Sequence, residues 1–519
     1  MYITGDYLIP RLQGIVHIHK PPLIYWVTAL GYRLFGINEW GARVFQGVFA
    51  LAVLGLIFLF GRKFLGFWSG LFASLVLLLT PGFLGAERNL TTDMLLLFCV
   101  TGALTCFFAY LKERKKSYLL FLYFFIALSL ITKGPMGVVV IVPVIVTNLA
   151  FERRLNLLKN LLSPGGIALA AIISLPWYLL MAIKVPGFID YIVKVQVLGR
   201  ITGNGIGHPH PWYYFLGVFP LLTLPWLPFA IARGVRIMRK GKIHSEWGVT
   251  LFLLIWAFLP PLIFSLPATK LPLYVLPSLP PVAMLAGKEI DEMLTESKAT
   301  RLALAPHLYF LLSGLSLLTL PLLSKGHKSA IVKSIPQSFT LPLAAFLLVG
   351  GMIGMMRWRN ARHTLTTAFL TFSLFLGFLV GSLDKLPLPT VKEVAFRIKT
   401  AAPDFCPPIV EEGTVISGLS FYTGCPVYEE KVSRDLRFEE GLTPYVVDLK
   451  VLQTIIDKGE QVVLVKKGDL PTGEFPEEEI SPLGSNLFFA SFDLHRKNYR
   501  TFPEGGKGEG TFRSNPSLR

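Results

Sequence analysis

The chain has 519 residues, 52% of them hydrophobic, with 50 Lys and Arg against 33 Asp and Glu for a formal charge of +17. A mean hydropathy of +0.55, with the apolar residues gathered in long runs, excludes a soluble globular protein and predicts a polytopic membrane protein. The positive balance calls for no nucleic-acid partner, because loops between the apolar runs carry much of it.

The N-terminus shows no charged region followed by an apolar core and a cleavage site, so no signal peptide is expected. His19-Lys20-Pro21-Pro22-Leu23-Ile24-Tyr25-Trp26 stands before any stretch long enough to span. Its prolines stiffen the backbone, and its aromatics suit the level of lipid headgroups. Lys20 reads either as an anchor snorkelling beside Trp26 or as a point charge gripping a lipid phosphate. About twelve segments then span or nearly span a bilayer: 41–61, 67–84, 90–111, 117–132, 135–151, 165–184, 212–233, 248–266, 272–287, 305–323, 340–357 and 364–383.

The loops alternate in charge. One set holds about twenty cations, among them Lys112-Arg114-Lys115-Lys116 and Arg233-Arg236-Arg239-Lys240-Lys242, against nine in the other. The positive-inside rule places the richer set in the cytoplasm. The N-terminal segment and everything after about residue 384 then lie outside. The expected fold is an all-α membrane protein of about twelve helices with a small extracytoplasmic α/β domain at residues 385–502 and a flexible tail at 503–519. In that domain 415–422, 445–449 and 461–465 read as strands and 449–458 as a helix. Of four cysteines, Cys99 and Cys106 read as packing in one membrane helix. Cys406 and Cys425 lie in the outer domain, where a disulfide is permitted and two free thiols are an equal alternative.

Polar residues out of keeping with their apolar surroundings collect on the outer side. Asp93 opens a helix after Arg88-Asn89-Leu90-Thr91-Thr92, Lys133-Gly134-Pro135 makes a tight turn, a long loop carries Arg200, His208 and His210, and Lys270 precedes Leu271 to Pro277. Ionisable groups at membrane depth default to functional hypotheses. Asp93 reads as a helix-dipole or capping carboxylate, or as a base or orienting group for a hydroxyl acceptor. Lys20, Lys133, Arg200 and Lys270 each read alone as snorkellers, but four together favour an anion site; Arg88 and Tyr274 complete the candidate substrate-binding set. His19, His208 and His210 are candidate ligands for a divalent metal, with solvated loop histidines as the alternative.

These motifs, in order, resemble a known family. Gly5-Asp6-Tyr7-Leu8-Ile9-Pro10-Arg11-Leu12-Gln13-Gly14, His19 to Trp26 and Phe35-Gly36-Ile37-Asn38-Glu39-Trp40-Gly41-Ala42-Arg43 are similar to the first outer loop of bacterial aminoarabinose transferases. These are lipid A-modifying relatives of dolichyl-phosphate-mannose protein mannosyltransferases, all of the GT-C class. The likeness covers roughly residues 1–290 well and the rest loosely, with Phe421-Tyr422-Thr423-Gly424 matching best in the C-terminal domain. It implies a transferase that takes a sugar from a polyprenyl-phosphate carrier and passes it to a lipid or protein acceptor at the outer face of the cell's inner or plasma membrane. Lys20 matches the family's phosphate-contacting lysine, Asp93 its acidic position on the second outer loop, and Arg200 and His208 its basic residues in the long loop. Where the family commonly has an acidic residue able to bind metal, this chain has His19. The resemblance also places a first helix and a catalytic aspartate ahead of the Gly5 motif. The expectation is therefore that the reading frame begins upstream of Met1, which in-frame genomic DNA would show, and that a chain starting at Met1 transfers weakly or not at all.

The implied chemistry is displacement at an anomeric carbon, with a carboxylate helping the attacking hydroxyl and cations holding the departing phosphate. No Gly-rich phosphate loop points to a nucleotide sugar. A transporter or flippase of lipid-linked sugars and an inactive binding protein stay open. A transporter would show broken helices and midplane polar groups in repeated halves, whereas the polar residues here sit at outer helix ends.

Overall fold

The computed structural model describes residues 1–12, 15–203, 209–241, 243–296, 301–324, 337–382, 395–396, 409–412, 419–423, 427–429, 462–467, 480–484 and 487–492. The chain divides into two compact units, Met1–Pro10 with Ile18–Leu386, and Arg11–His17 with Pro387–Arg519.

The first unit is helical. Its opening helices are α1 (Leu23–Phe35), α2 (Glu39–Phe64), α3 (Phe67–Leu78), α4 (Pro81–Arg88), α5 (Asp93–Glu113), α6 (Lys116–Lys133) and α7 (Met136–Phe151). Longer helices follow at Pro164–Lys184, Trp247–Ser265, Leu279–Thr295, Ala305–Ser324, Gln337–Met356 and Ala361–Ser382. Among the described residues seven helices are long and apolar enough to cross a membrane, or nine if each of two bent pairs is one span. The expected span 212–233 is one of those pairs: Tyr214–Thr223 and Leu227–Lys240 meet at 101°, around Pro225, which cannot continue a helix. The protein is a multi-pass membrane protein.

Local chemistry accounts for the element boundaries. Gly36, at φ +81°, ends α1, and the Asn38 side chain accepts the Gly41 amide at 2.8 Å to cap α2. The Asp6 carboxylate accepts the amides of Leu8 and Ile9 at 3.0 and 3.2 Å, closing a turn ahead of Pro10. Within a bilayer, helices associate through close packing rather than hydrophobic drive, and small residues mark the contacts. A methyl group on Gly61 of α2 would meet the Gly70 Cα of α3 at 2.5 Å, and one on Gly287 would meet the Ala73 backbone nitrogen at 2.4 Å. Gly70→Ala is therefore expected to cost about 1–3 kcal/mol, read as an earlier thermal transition and a larger aggregated fraction by size exclusion.

α5 is the most enclosed span, with 83% of its apolar window buried, while Pro164–Lys184 has only 22% buried and so presents most of its surface to lipid. A stack of Phe60, Phe108 and Phe252, with the last two centroids 4.8 Å apart, fills the centre beside α5. The first residue of this central helix is Asp93, so its carboxylate stands at one end of the bundle axis.

In the second unit Arg11–Leu12 and Ile15–Val16 pair as a two-stranded antiparallel sheet, and a five-stranded mixed sheet runs in the order Val427–Glu429, Ile409–Glu412, Val462–Lys467, Leu487–Phe492 and Ile480–Gly484. The first three strands of the larger sheet run parallel, and its remaining pairings are antiparallel. The strand expected at 461–465 is present as Val462–Lys467. The one expected across 415–422 is corrected: Leu419–Thr423 is a short helix. Its run of Ser, Phe and Tyr satisfies a strand pattern and a helical turn equally, and five residues do not separate the two by periodicity. The readings at 445–449 and 449–458, Cys406, Cys425 and the tail at 503–519 lie outside the described residues.

Candidate functional site

The site is assembled from helix ends. Pro21 and Pro22 lead into α1, which begins at Leu23, since proline is tolerated at a helix start. That places Lys20 just before the first turn. The indole of Trp26 donates to the Tyr7 carbonyl at 2.8 Å, and that of Trp177 to the Leu8 carbonyl at 2.9 Å, so two tryptophans hold the N-terminal segment over this end. Asp93 opens α5, where a helix N-terminus favours a carboxylate. Lys133 closes α6, where a C-terminus favours a cation, and Gly134 at φ +62° makes the turn into α7.

The two meet. Lys133 Nζ pairs with Asp93 Oδ1, with side chains only 6% and 12% exposed, and the Thr91 hydroxyl donates to Asp93 Oδ2 at 2.9 Å. Both oxygens of Asp93 are thus engaged, an arrangement that suits orienting Lys133 better than accepting a substrate proton. The Lys133 ammonium also lies 5.3 Å from the Tyr274 ring centroid, and the Tyr274 hydroxyl accepts from Arg200 Nη1 at 2.9 Å. Tyr274 therefore bridges two cations that lie 67 residues apart in the chain.

A cavity of 220 Å³ opens at this junction, with Lys20, Lys133, Arg200, His19 and Gln196 on its polar side and Trp177, Tyr178 and Met136 among its apolar and aromatic walls. Lys20 has no hydrogen-bond or ion-pair partner among the described residues. The Nε of Arg200 is buried and likewise unpartnered. Three cations face one carboxylate that is already paired. Burial, with the charges of Lys133 and Arg200 next and only Asp93 opposing, pulls the Lys20 ammonium down to about 7.

The remaining sequence candidates have other surroundings. Lys270, 2% exposed, donates to the carbonyls of His210 (2.9 Å) and Pro267, tying the turn ahead of Pro272–Ser278 to the long loop. The same junction holds Arg200, whose carbonyl accepts from the Thr269 hydroxyl at 3.2 Å. Arg88 sits exposed at the end of α4, 3.6 Å from Glu87, and does not line the cavity. The His19 Nδ1 contacts the Tyr191 hydroxyl and lies 3.1 Å from Gln196 Nε2. His210 stacks on Tyr214 with centroids 4.2 Å apart, and His208 lies outside the described residues. No group of three metal-ligating side chains exists among the described residues, to which His208 does not belong.

Sequence reading passed over Gln196 and Tyr191 as site residues. Both lie on a π-helix, Tyr191–Leu198, a rare form that recurs at functional sites. The available signal was spacing, since Gln196 precedes Arg200 by four residues and so shares its helix face.

Residues 19–179 match the family model of dolichyl-phosphate-mannose-protein mannosyltransferase. An undecaprenyl phosphate-α-4-amino-4-deoxy-L-arabinose arabinosyl transferase of Aeromonas hydrophila is 30% identical over 57% of this chain and 55% of its own length. That of Yersinia enterocolitica is 26% identical over 73% and 70%. The crystal structure of ArnT from Cupriavidus metallidurans bound to undecaprenyl phosphate superposes with a TM-score of 0.79 at 21% identity, covering 95% of this chain and 91% of that one. The chain has the ArnT fold. The resemblance to aminoarabinose transferases read from the motifs thus extends to sequence relatives and to architecture. The chain spans about half the length of the first of these relatives.

Proposed function

We propose that this protein is an integral-membrane glycosyltransferase that moves a sugar from a polyprenyl-phosphate carrier to a lipid acceptor of the lipid A kind, or to a protein hydroxyl, on the extracytoplasmic face. The observation that carries the reading is the unbalanced cavity: among the described residues Lys20 is unpaired, Arg200 has an orphaned Nε, and Lys133 is held in place by Asp93. A buried excess of cations is unfavourable until an anion enters, and a phosphate supplies acceptor oxygens for all three. The names of the relatives supply the donor class, an undecaprenyl-phosphate aminopentose.

In this reading about twelve helices of residues 1–384 form the transferase domain, and residues 385–502 form an outer α/β domain. The acceptor hydroxyl attacks the anomeric carbon and the sugar–phosphate oxygen bond breaks. The phosphate leaves with its electron pair and takes up the proton the hydroxyl loses, as a phosphate monoester with a second pKa of about 6 can, and its remaining charge is held by Lys20, Arg200 and Lys133. Because these cations are fixed before reaction, they stabilise developing charge without reorganising. Tyr274 keeps Arg200 and Lys133 at constant separation, and Trp177 and Tyr178 wall the cavity beside them.

Purified protein incubated with a radiolabelled undecaprenyl-phosphate aminopentose and lipid A is expected to yield labelled lipid A. Movement of the carrier across vesicles without transfer would favour a flippase, and carrier binding with neither activity would mark an inactive homologue. A pH profile gives an independent check. A phosphodiester keeps one negative charge between pH 5 and 9, whereas free Lys20 loses its proton near 7. Carrier affinity is therefore expected to be flat below pH 7 and to fall above it, by up to about tenfold per unit, with up to one proton taken up on binding above pH 7 and none well below it. Calorimetry in two buffers of different ionisation enthalpy measures that proton, and Lys20→Met should remove it.

A further inference from the structure

At the cation-rich end of the bundle, helix Leu227–Lys240 carries four basic residues in two different settings. Arg233 and Arg236 face inward. Arg233 pairs with Glu246 and, at 2.6 Å, with Glu292; Arg236 pairs with Glu289 and, at 3.2 Å, with Glu292. Lys288 joins Glu246 at 3.2 Å. Three cations meet three carboxylates, so the inner face is electrically balanced. Arg239 and Lys240 are exposed and have no carboxylate partner among the described residues.

Directly beside them the outer face of the same helix is apolar. Ile231, Val235 and Met238, at helical spacing, face Leu254 and Phe258 of Trp247–Ser265 across an open groove of 440 Å³ with Arg239 at its mouth. Gly234 permits the close approach, since a methyl group there would meet Leu254 Cδ2 at 2.9 Å. An apolar slot for a hydrocarbon chain, ending at uncompensated cations, is the pattern by which basic pockets between membrane helices select lipid headgroups. A zwitterionic lipid would fill the slot but bring a headgroup cation along with its phosphate, leaving the two basic residues without net compensation.

We propose that this groove is a binding site for an anionic phospholipid of the bilayer, with an acyl chain between Ile231, Val235 and Phe258 and the phosphate against Arg239 and Lys240. The site is separate from the sugar-transfer cavity and stands whether or not that cavity transfers sugar. The bound lipid would join two helices that otherwise meet along an open groove.

The test compares phosphatidylglycerol with phosphatidylcholine, added to the delipidated full chain in detergent, by native mass spectrometry and thermal shift. Phosphatidylglycerol is expected to bind more tightly and to raise the transition temperature more. Arg239→Gln and Lys240→Gln are each expected to weaken it on the order of fivefold with a smaller loss for phosphatidylcholine, and Val235→Trp to weaken both lipids by filling the slot. Equal binding of the two lipids by the wild-type chain, or an undiminished preference in the double glutamine variant, would overturn the proposal. If the variants aggregate, the wild-type preference must still collapse at 1 M salt, where charges are screened beyond about 3 Å; a preference that survives would also overturn it.

Discussion

Lys20→Ala is expected to lower the transfer rate by about 10²–10³, the usual loss when one fixed donor to a developing oxyanion is removed, and to leave the fold intact. Among the described residues Lys20 has no partner to strand, so its removal creates no orphaned group there. Stability should in fact move the other way. Its ammonium titrates near 7 in the folded protein and near 10.5 when unconstrained. The unfolded chain therefore binds more protons between those values, and wild-type stability rises across that window. Below pH 7 the folded protein carries the full penalty of a buried cation beside two others. Lys20→Met should raise the transition temperature most at pH 6, with the gain shrinking as pH climbs through 7. Lys20→Arg should not restore full activity, because a planar fork cannot replace a compact point charge in a cavity of this size. An inactive variant that is also destabilised at pH 6 would point to an anchoring role instead.

Asp93→Asn is expected to destabilise the protein by about 3–5 kcal/mol, because it leaves the buried Lys133 ammonium without its counter-charge. The double variant Asp93→Asn, Lys133→Met should recover most of that stability while carrier affinity stays low, since both members of the pair are gone but one phosphate contact is missing. Thermal unfolding of the four proteins of this cycle, with carrier binding measured in parallel, separates the two effects. The single variant discriminates further. Lost turnover with an unchanged transition temperature would assign Asp93 to proton transfer rather than to holding Lys133.

Both experiments concern contacts of uneven legibility. The Lys133-Gly134-Pro135 turn was readable because glycine and proline punctuate a helix end locally, and Asp93 at a helix start because its neighbours are short and polar. The pairing of Asp93 with Lys133 was not readable. It spans the length of two helices and exists because α5 and α6 pack so that their ends coincide. Lys270 illustrates the opposite outcome. Its sequence setting matched those of Lys20 and Lys133, yet its ammonium is spent on two backbone carbonyls that the long loop brings to it. His19 likewise carries no sequence sign of Tyr191 and Gln196, which reach it from a segment more than 170 residues away.

The sequence by itself determined the membrane class, the presence of many long apolar helices, the alternation of cation-rich and cation-poor loops and the presence of spare cations in the poorer set. These properties follow from composition and short-range pattern, which the solvent reads segment by segment. Only the tertiary structure decided which cations share a cavity, which are neutralised and which carboxylate serves which lysine. Those outcomes depend on where glycine contacts such as Gly61 with Gly70 let helices approach, and a partner chosen by helix packing leaves no mark in the residues around it.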